Sequence, residues 1–321
     1  MAHVSLVVPC YNEEGVLLEL FRRLDSSLGM WKDTWEVILV DDGSRDRTWE
    51  ILTAKARADA RYKVLSFARN FGHQTAVSAG IYHASGDAVL VMDADLQDPP
   101  EELHRFIEKW REGYEVVYAV RQKRKEGVFK KLCYWVFYRL LAGISANPIP
   151  LDSGDFCVMD RKVVEVLCAM PERNRFVRGL RSWVGFRQVG VAYERRARAA
   201  GEVKYTLSKL MGLAMDGLLS FSTLPLRLAT YLGLGVSALA LVGIIFTLAQ
   251  RVFQEFFTSI GLGTVPGFTT IVVAVLFLGG VQLVCIGILG EYLGRIYDEV
   301  KRRPQWVIAG AVGVEARCPS S

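Results

Sequence analysis

Asp93-Ala94-Asp95 follows an apolar run, Ala88 to Met92, whose pattern predicts a fully buried strand. A buried strand that stops on two carboxylates has a chemical reason to do so. Asp93 and Asp95 are two apart, so an extended backbone points them the same way, and Gln97 continues that face with an amide oxygen. Such a row of hard oxygen donors suits Mg2+ or Mn2+, the ions that neutralise a pyrophosphate. The bland alternative, acids that merely cap the next helix, fits Asp98. There Asp98-Pro99-Pro100-Glu101 spells an N-cap, two prolines and a capping-box glutamate.

A second acidic stretch, Asp41-Asp42-Gly43-Ser44, closes another strand, where a carboxylate can accept hydrogen bonds from a base or ribose and glycine permits a tight turn. Tyr11, in the loop after Pro9, offers a flat ring for stacking on a base. Neither G-x-x-x-x-G-K-[ST] nor G-x-G-x-x-G occurs at a strand-to-helix junction, so a pyrophosphate has to be held by a metal and side chains. The six cysteines form no C-x-x-C pair and the four histidines no H-x-x-x-H, which favours reduced thiols and leaves a zinc hydrolase unsupported.

Short apolar strands near 4–8, 36–41, 63–67, 87–93 and 115–120 alternate with helical stretches near 13–28, 46–58, 73–84 and 100–111. That alternation predicts an α/β fold, a mostly parallel sheet covered by helices. Ligands of such sheets bind beyond the carboxyl ends of the strands, and three of those ends carry the polar stretches just described. The chain opens directly on a strand pattern with no charged and apolar leader, so no secretory signal is expected.

The apolar residues, 51% of the chain, are unevenly spread: 228–250 and 256–290 contain no charged residue. Two transmembrane spans, about 228–250 and 268–290, are therefore expected. Basic residues flank the pair on both outer sides, from Arg195 to Arg227 and from Arg295 to Arg303, while the loop between carries only Arg251 and Glu255. The positive-inside rule then puts both ends in the cytoplasm. A basic run from Arg121 to Lys131 leads into Leu132, Trp135, Val136 and Leu140, and a second amphipathic stripe runs from Leu207 to Phe221, both suited to a membrane surface. The net charge of +5 is explained by membrane contact, and nucleic-acid binding gains no support from it. The tail after Pro304 is expected to be a short, loosely ordered end.

Taken in order, Val7-Val8-Pro9-Cys10-Tyr11-Asn12-Glu13-Glu14, Val40-Asp41-Asp42-Gly43-Ser44, Arg69-Asn70-Phe71-Gly72, Met92 to Pro100, Gly154-Asp155-Phe156 and the Phe221 to Arg227 lead into two spans resemble one family. It is the inverting family-2 glycosyltransferases of the GT-A fold, specifically the polyprenyl-phosphate sugar transferases. The resemblance implies a GT-A catalytic domain with interfacial amphipathic helices and a C-terminal two-helix transmembrane hairpin. The expected boundaries are 1–203, a juxtamembrane helix at 204–227, the hairpin at 228–294 and a cytoplasmic tail at 295–321. It further implies that Pro9, Tyr11, Glu13 and Asp42 form the nucleotide pocket, that Asp93, Asp95 and Gln97 hold metal and diphosphate, and that Asp155 is the catalytic carboxylate. Arg121 and Lys131 resemble positions binding the lipid phosphate, and Arg198 and Lys204 an arm closing on the donor diphosphate, with Val203 where relatives carry a small polar residue.

The expected activity is transfer of a hexose, glucose from UDP-glucose as first choice, from a nucleotide diphosphate sugar to undecaprenyl or another polyprenyl phosphate. The cofactor would be Mg2+ or Mn2+, the surroundings membrane lipids, and the family likeness suggests a homo-oligomer. The alternatives are a processive polysaccharide synthase, disfavoured by the absence of Q-x-x-R-W and by only two spans, and a non-catalytic scaffold for a flippase.

Overall fold

The computed structural model describes residues 1–121, 153–173, 175–193, 224–261 and 267–317. The chain divides into two compact units, Met1–Leu213 with Arg302–Ser321, and Ala214–Lys301.

The first unit is built on one mixed sheet. Its strands are β1 (His3–Cys10), β2 (Thr34–Asp41), β3 (Tyr62–Phe67), β4 (Ala88–Val91), β5 (Val116–Arg121), β6 (Ser153–Asp160), β7 (Gln188–Tyr193) and β8 (Ile308–Val312), in the spatial order β7-β5-β6-β4-β1-β2-β3-β8. Seven of the eight residues of β1 are buried, because helices cover both faces and its run of valine and leucine has no solvent side. Helix α1 (Leu17–Leu28) buries Leu17, Leu20, Phe21, Leu24 and Leu28, the three-and-four spacing of one helical face. Helices α2 (Thr48–Ala58), α3 (His73–His83) and α4 (Leu103–Arg111) fill the other connections of the parallel half.

Strands β1 to β4 pair in parallel, and their order places the chain reversal between β1 and β4. The expected alternation is thus realised for these four strands and helices, but β5 does not lie beside β4. Strand β6 enters between them, antiparallel to both, because its Phe156 and Val158 alternate onto the core face where Phe156 meets Phe106 at 4.5 Å between ring centroids. Two short helices, α5 (Arg161–Ala169) and α6 (Val177–Trp183), follow it.

Two expectations are corrected here. The described part of the tail, residues 305–317, is ordered: Trp306 is 1% exposed and β8 pairs antiparallel with β3. Asp98 caps no helix. It is buried and accepts the hydroxyl of Tyr193, and the short 3-10 turn Pro100–Glu102 starts without a side-chain cap. Glu101 pairs instead with Arg23.

The second unit holds α7 (Leu224–Val252), α8 (Gln254–Ser259) and α9 (Phe268–Val300). Ala229–Gln250 and Phe277–Val300 are long and apolar enough to cross a membrane. Leu239 and Leu283 are more than 70% exposed and no part of either window is buried within the chain, so these are not the core helices of a soluble domain. Within the unit, Cys285 Sγ lies 3.7 Å from the Ala229 carbonyl oxygen, joining α9 to α7. The amphipathic segments expected at 121–145 and 204–227 lie outside the described residues, except Arg121 at the end of β5 and residues 224–227 at the start of α7.

Candidate functional site

The carboxyl ends of β1, β2, β3 and β4 and the start of the antiparallel β6 share one edge of the sheet. Ligands of open α/β sheets bind at this edge, beside the reversal of strand order. The loops there are stitched together by short polar links. Asn12, at φ +54°, donates its N–H to Ser44 Oγ at 3.0 Å and accepts the Arg45 N–H at 2.8 Å. Gly43, at φ +67°, sits so close to the β3 loop that a Cβ would come within 2.6 Å of the Arg69 carbonyl carbon. Only glycine fits that turn.

These loops enclose a cleft of about 360 Å3 lined by Tyr11, Asp41, Trp49, Ser66, Arg69 and Asn70, among others. That volume is in the range of small-ligand sites. Tyr11 stands at the wall, 43% exposed, as a stacking ring must. Asp41 is the carboxylate on the wall, steadied by the Ser44 N–H at 3.0 Å and the Ser66 hydroxyl at 2.8 Å. Asp42 lies beneath it, accepting the Phe71 N–H at 2.7 Å and the Gly72 N–H at 2.9 Å, which fixes the loop that opens α3. Burial pushes the Asp42 carboxyl up, and those two donors offset only part of the rise. Pro9 is buried within β1 opposite Val40, and Glu13 offers its carbonyl to Val16 and Leu17 at the start of α1. Of the four residues expected at the nucleotide pocket, Tyr11 is the one that lines the cleft. Asp41 was the neighbouring acid that spacing alone could not separate from Asp42.

The acidic triplet is organised differently from an extended strand. Strand β4 ends at Val91, residues 94–95 form a turn that continues into a bend over 96–98, and Leu96 is buried at φ +59°. A leucine in that left-handed conformation costs about 1–2 kcal/mol. The strict alternation expected for Asp93 and Asp95 is thereby corrected. Asp95 turns back so that Oδ1 accepts the Gln97 N–H at 3.1 Å. Asp93 is the unusual member: its Oδ1 is buried and among the described residues no hydrogen-bond donor reaches it, the His73 Nε2 standing 3.7 Å away. Burial pushes the Asp93 carboxyl up to about 6, only partly offset by His73, with Asp155, Asp98 and Asp95 adding to the rise. An orphaned buried carboxylate oxygen among other acids is a fitting ligand for a cation. Among the described residues no three His, Cys, Asp or Glu side chains converge into a closed protein metal site.

Opposite this turn, the β4–β6 register that pairs Val91 with Cys157 carries the chain on to Asp155. Its carboxylate is gripped by Arg178, with Nε on Oδ1 at 3.1 Å and Nη2 on Oδ2 at 3.0 Å. His73 Nε2 stands 3.5 Å from Oδ2, and Gln74 donates to the same oxygen at 3.4 Å while accepting the Val177 N–H at 3.0 Å. Burial alone would raise Asp155, but the His73 contact and the Arg178 guanidinium outweigh it and hold the carboxyl far below the usual range. In the same way burial would lower His73, and Asp155 and Asp93 beside it raise it. His73, Gln74 and Arg178 were not singled out from the sequence. The only signal was the position of the first two immediately after Gly72, at the start of a helix on the ligand edge.

The side chain of Arg121 and all of Lys131, Arg198 and Lys204 lie outside the described residues.

Residues 5–168 match the family model described as glycosyl transferase family 2, and residues 224–296 match that of the GtrB C-terminal hairpin. The chain belongs to glycosyl transferase family 2. It is 47% identical, over 97% of its own length and 94% of the relative's, to the uncharacterized glycosyltransferase YkcC of Bacillus subtilis. It is 43% identical to the SfII prophage-derived bactoprenol glucosyl transferase of Shigella flexneri, over 95% of this chain and 97% of that one. The prophage bactoprenol glucosyl transferase homolog of Escherichia coli K12 is 41% identical over 95% and 98% of the two chains. This family-2 glycosyltransferase therefore carries the expected GT-A sheet, with a hairpin of its own recognisable type at the C-terminal side.

Proposed function

We propose that this glycosyltransferase moves a hexose, glucose from UDP-glucose as first choice, onto undecaprenyl or a related polyprenyl phosphate at a membrane surface. One observation carries the reading: relatives named bactoprenol glucosyl transferase align with 95% of the chain at 41–43% identity, the hairpin included. The cleft geometry supports it from the chemical side. Tyr11 is suited to stack on the base, Asp41 to accept from base or ribose, and Asp42 to keep the wall in shape.

Asp93 and Asp95, with the Gln97 amide, are the residues that would hold Mg2+ or Mn2+. When bound, such an ion neutralises charge on the departing diphosphate. An ion held by only one or two carboxylates and completed by a substrate's phosphates is the usual way Mg2+ is bound.

A phosphate monoester has a second pKa of about 6, so at neutral pH the acceptor already brings a nucleophilic oxyanion. That oxygen attacks the anomeric carbon, the new C–O bond forms as the bond to the diphosphate oxygen breaks, and the nucleoside diphosphate leaves with the electron pair. The anomeric configuration inverts. Asp155 is suited to orient the reacting groups rather than to take a proton, because Arg178 holds it as an anion of very weak basicity. By resemblance to the family, Arg121 and Lys131 are the residues proposed to bind the lipid phosphate, and Arg198 and Lys204 those proposed to close over the diphosphate. The charge pattern of the sequence supports two crossings with both ends in the cytoplasm.

The test is radiolabelled nucleotide sugar given to membranes containing the protein. Label in a chloroform-soluble product is expected. Label only in an insoluble polymer favours a processive synthase, and no transfer from any nucleotide sugar favours a scaffold.

A further inference from the structure

Strand β8 lies outside both matched family segments, 5–168 and 224–296, yet it braces the cleft from behind. It pairs with β3 so that Gly310 stands opposite Ser66 and Ile308 opposite Phe67, with a bulge in the register between Ser66 and Phe67. Just before it, the Val307 carbonyl accepts the Ala68 N–H at 2.9 Å, extending the pairing into the loop that lines the cleft. Trp306 anchors this crossing: its ring stacks on Phe67 with 6.5 Å between centroids and 16° between planes, and meets Tyr82 edge-on at 5.9 Å. The other face of the cleft loop is touched through Trp49. A Cβ on Gly310 would stand 2.9 Å from Cζ2 of the Trp49 indole, and that indole is itself part of the cleft wall.

We infer that β8 sets the donor affinity of the enzyme from a distance, with Gly310 seating the Trp49 indole and Val307 fixing the Ala68 backbone. Both are positioning residues, neither lining the cleft. The inference rests on the cleft being the nucleotide site. Alternate residues of the strand, Ala309 and Ala311, face solvent, which separates its bracing face from its free one.

The experiment titrates UDP with Mn2+ into the full chain in detergent micelles, alongside steady-state kinetics. Gly310→Ala is expected to weaken UDP binding and raise the donor KM about five-fold while kcat at saturating donor is unchanged, the split that marks lost ground-state binding. Ala311→Ser leaves both unchanged. Adding Trp49→Phe to Gly310→Ala makes room for the new methyl and recovers affinity relative to the sum of the single effects, the signature of direct coupling. Affinity that is unchanged in Gly310→Ala, or a double variant whose effects simply add, overturns the inference while leaving the nucleotide site intact. If Gly310→Ala lowers Tm, it is compared with Val312→Ala, on the same face two residues further along the strand. A larger affinity loss in Gly310→Ala at matched Tm supports the seating role, and an equal loss overturns it. An unaltered protein that binds neither UDP nor GDP sinks the nucleotide reading and the inference together.

Discussion

Asp93 and Asp155 occupy neighbouring positions on one sheet edge, yet their surroundings drive them in opposite directions. Asp93 has an oxygen with no donor among the described residues and is pushed up to about 6 by burial. Asp155 is held by both arms of Arg178 and stays ionised far into the acid range. The contrast is one of supply: the carboxylate left unsatisfied by the protein has the free oxygen that an external cation would need, and the one fully supplied with donors is held as an anion in a fixed orientation.

The largest expected effect tests the unsatisfied side. Asp95→Ala and Asp93→Asn should each lower turnover by about three orders of magnitude, the scale of losing a main electrostatic element of a site. Chelation of divalent ions should do the same to the unaltered enzyme. Full activity of metal-free protein in a lipid-extraction assay breaks the comparison at its base.

Asp155→Asn comes next, with a loss of about 10–100-fold in kcat, the range of a group that positions rather than transfers a proton. Leaving Arg178 half-buried without its carboxylate also costs stability, about 3 kcal/mol or somewhat less given its partial exposure. Nearly full turnover in the purified variant would remove Asp155 from the chemistry.

Stability against pH sharpens the contrast further. The folded state raises Asp93 from an ordinary carboxylate value to about 6, so its protonated form is favoured and stability is lost as pH rises from about 4 to 6. Asp93→Asn removes that loss and should melt above the unaltered protein at pH 7, with the gap closing at pH 4. Thermal melts at the two pH values read the difference, and an Asp93→Asn protein less stable at pH 7 contradicts the orphaned oxygen.

Glu36 gives the opposite sign in the same sheet. Burial alone would raise it, but Lys63, Ser5 and Ser85 surround its carboxylate and bring it down to about 2. Its contribution is therefore complete above about pH 4.5 and fades as pH falls toward 2. Glu36→Gln should cost about 2–3 kcal/mol at pH 7 and progressively less in acid, measured by denaturant unfolding of the first unit's signal.

Local pattern carried the parallel half of the fold. The five strands and four helices read between residues 4 and 120 all exist, with ends shifted by a few residues, because each helix follows its strand directly and the apolar period is unbroken. Strands β6, β7 and β8 escaped because they pair across long separations, and nothing in Ser153–Asp160 states which neighbour it will find. Asp98 was misread for a related reason: the hydroxyl that claims it belongs to Tyr193, 95 residues away. At the site, residue type pointed to the acids, but only geometry put Asp41 rather than Asp42 on the cleft wall and brought Arg178 onto the Asp155 carboxylate. The tail looked loose because its strand has small residues and little alternation of polarity, while what holds it, the pairing with β3 and the burial of Trp306, involves residues far away in the sequence.

The position of β8 also fixes an order of events during synthesis. The strand that closes the β3 side of the sheet is encoded after both apolar helices, so a ribosome that has made every other part of the sheet still holds it with a bare edge. Exposed strand edges recruit foreign strands. The nascent enzyme consequently becomes complete only once its hairpin has been translated, and a chain stopped short of the hairpin is left as a substrate for aggregation or degradation.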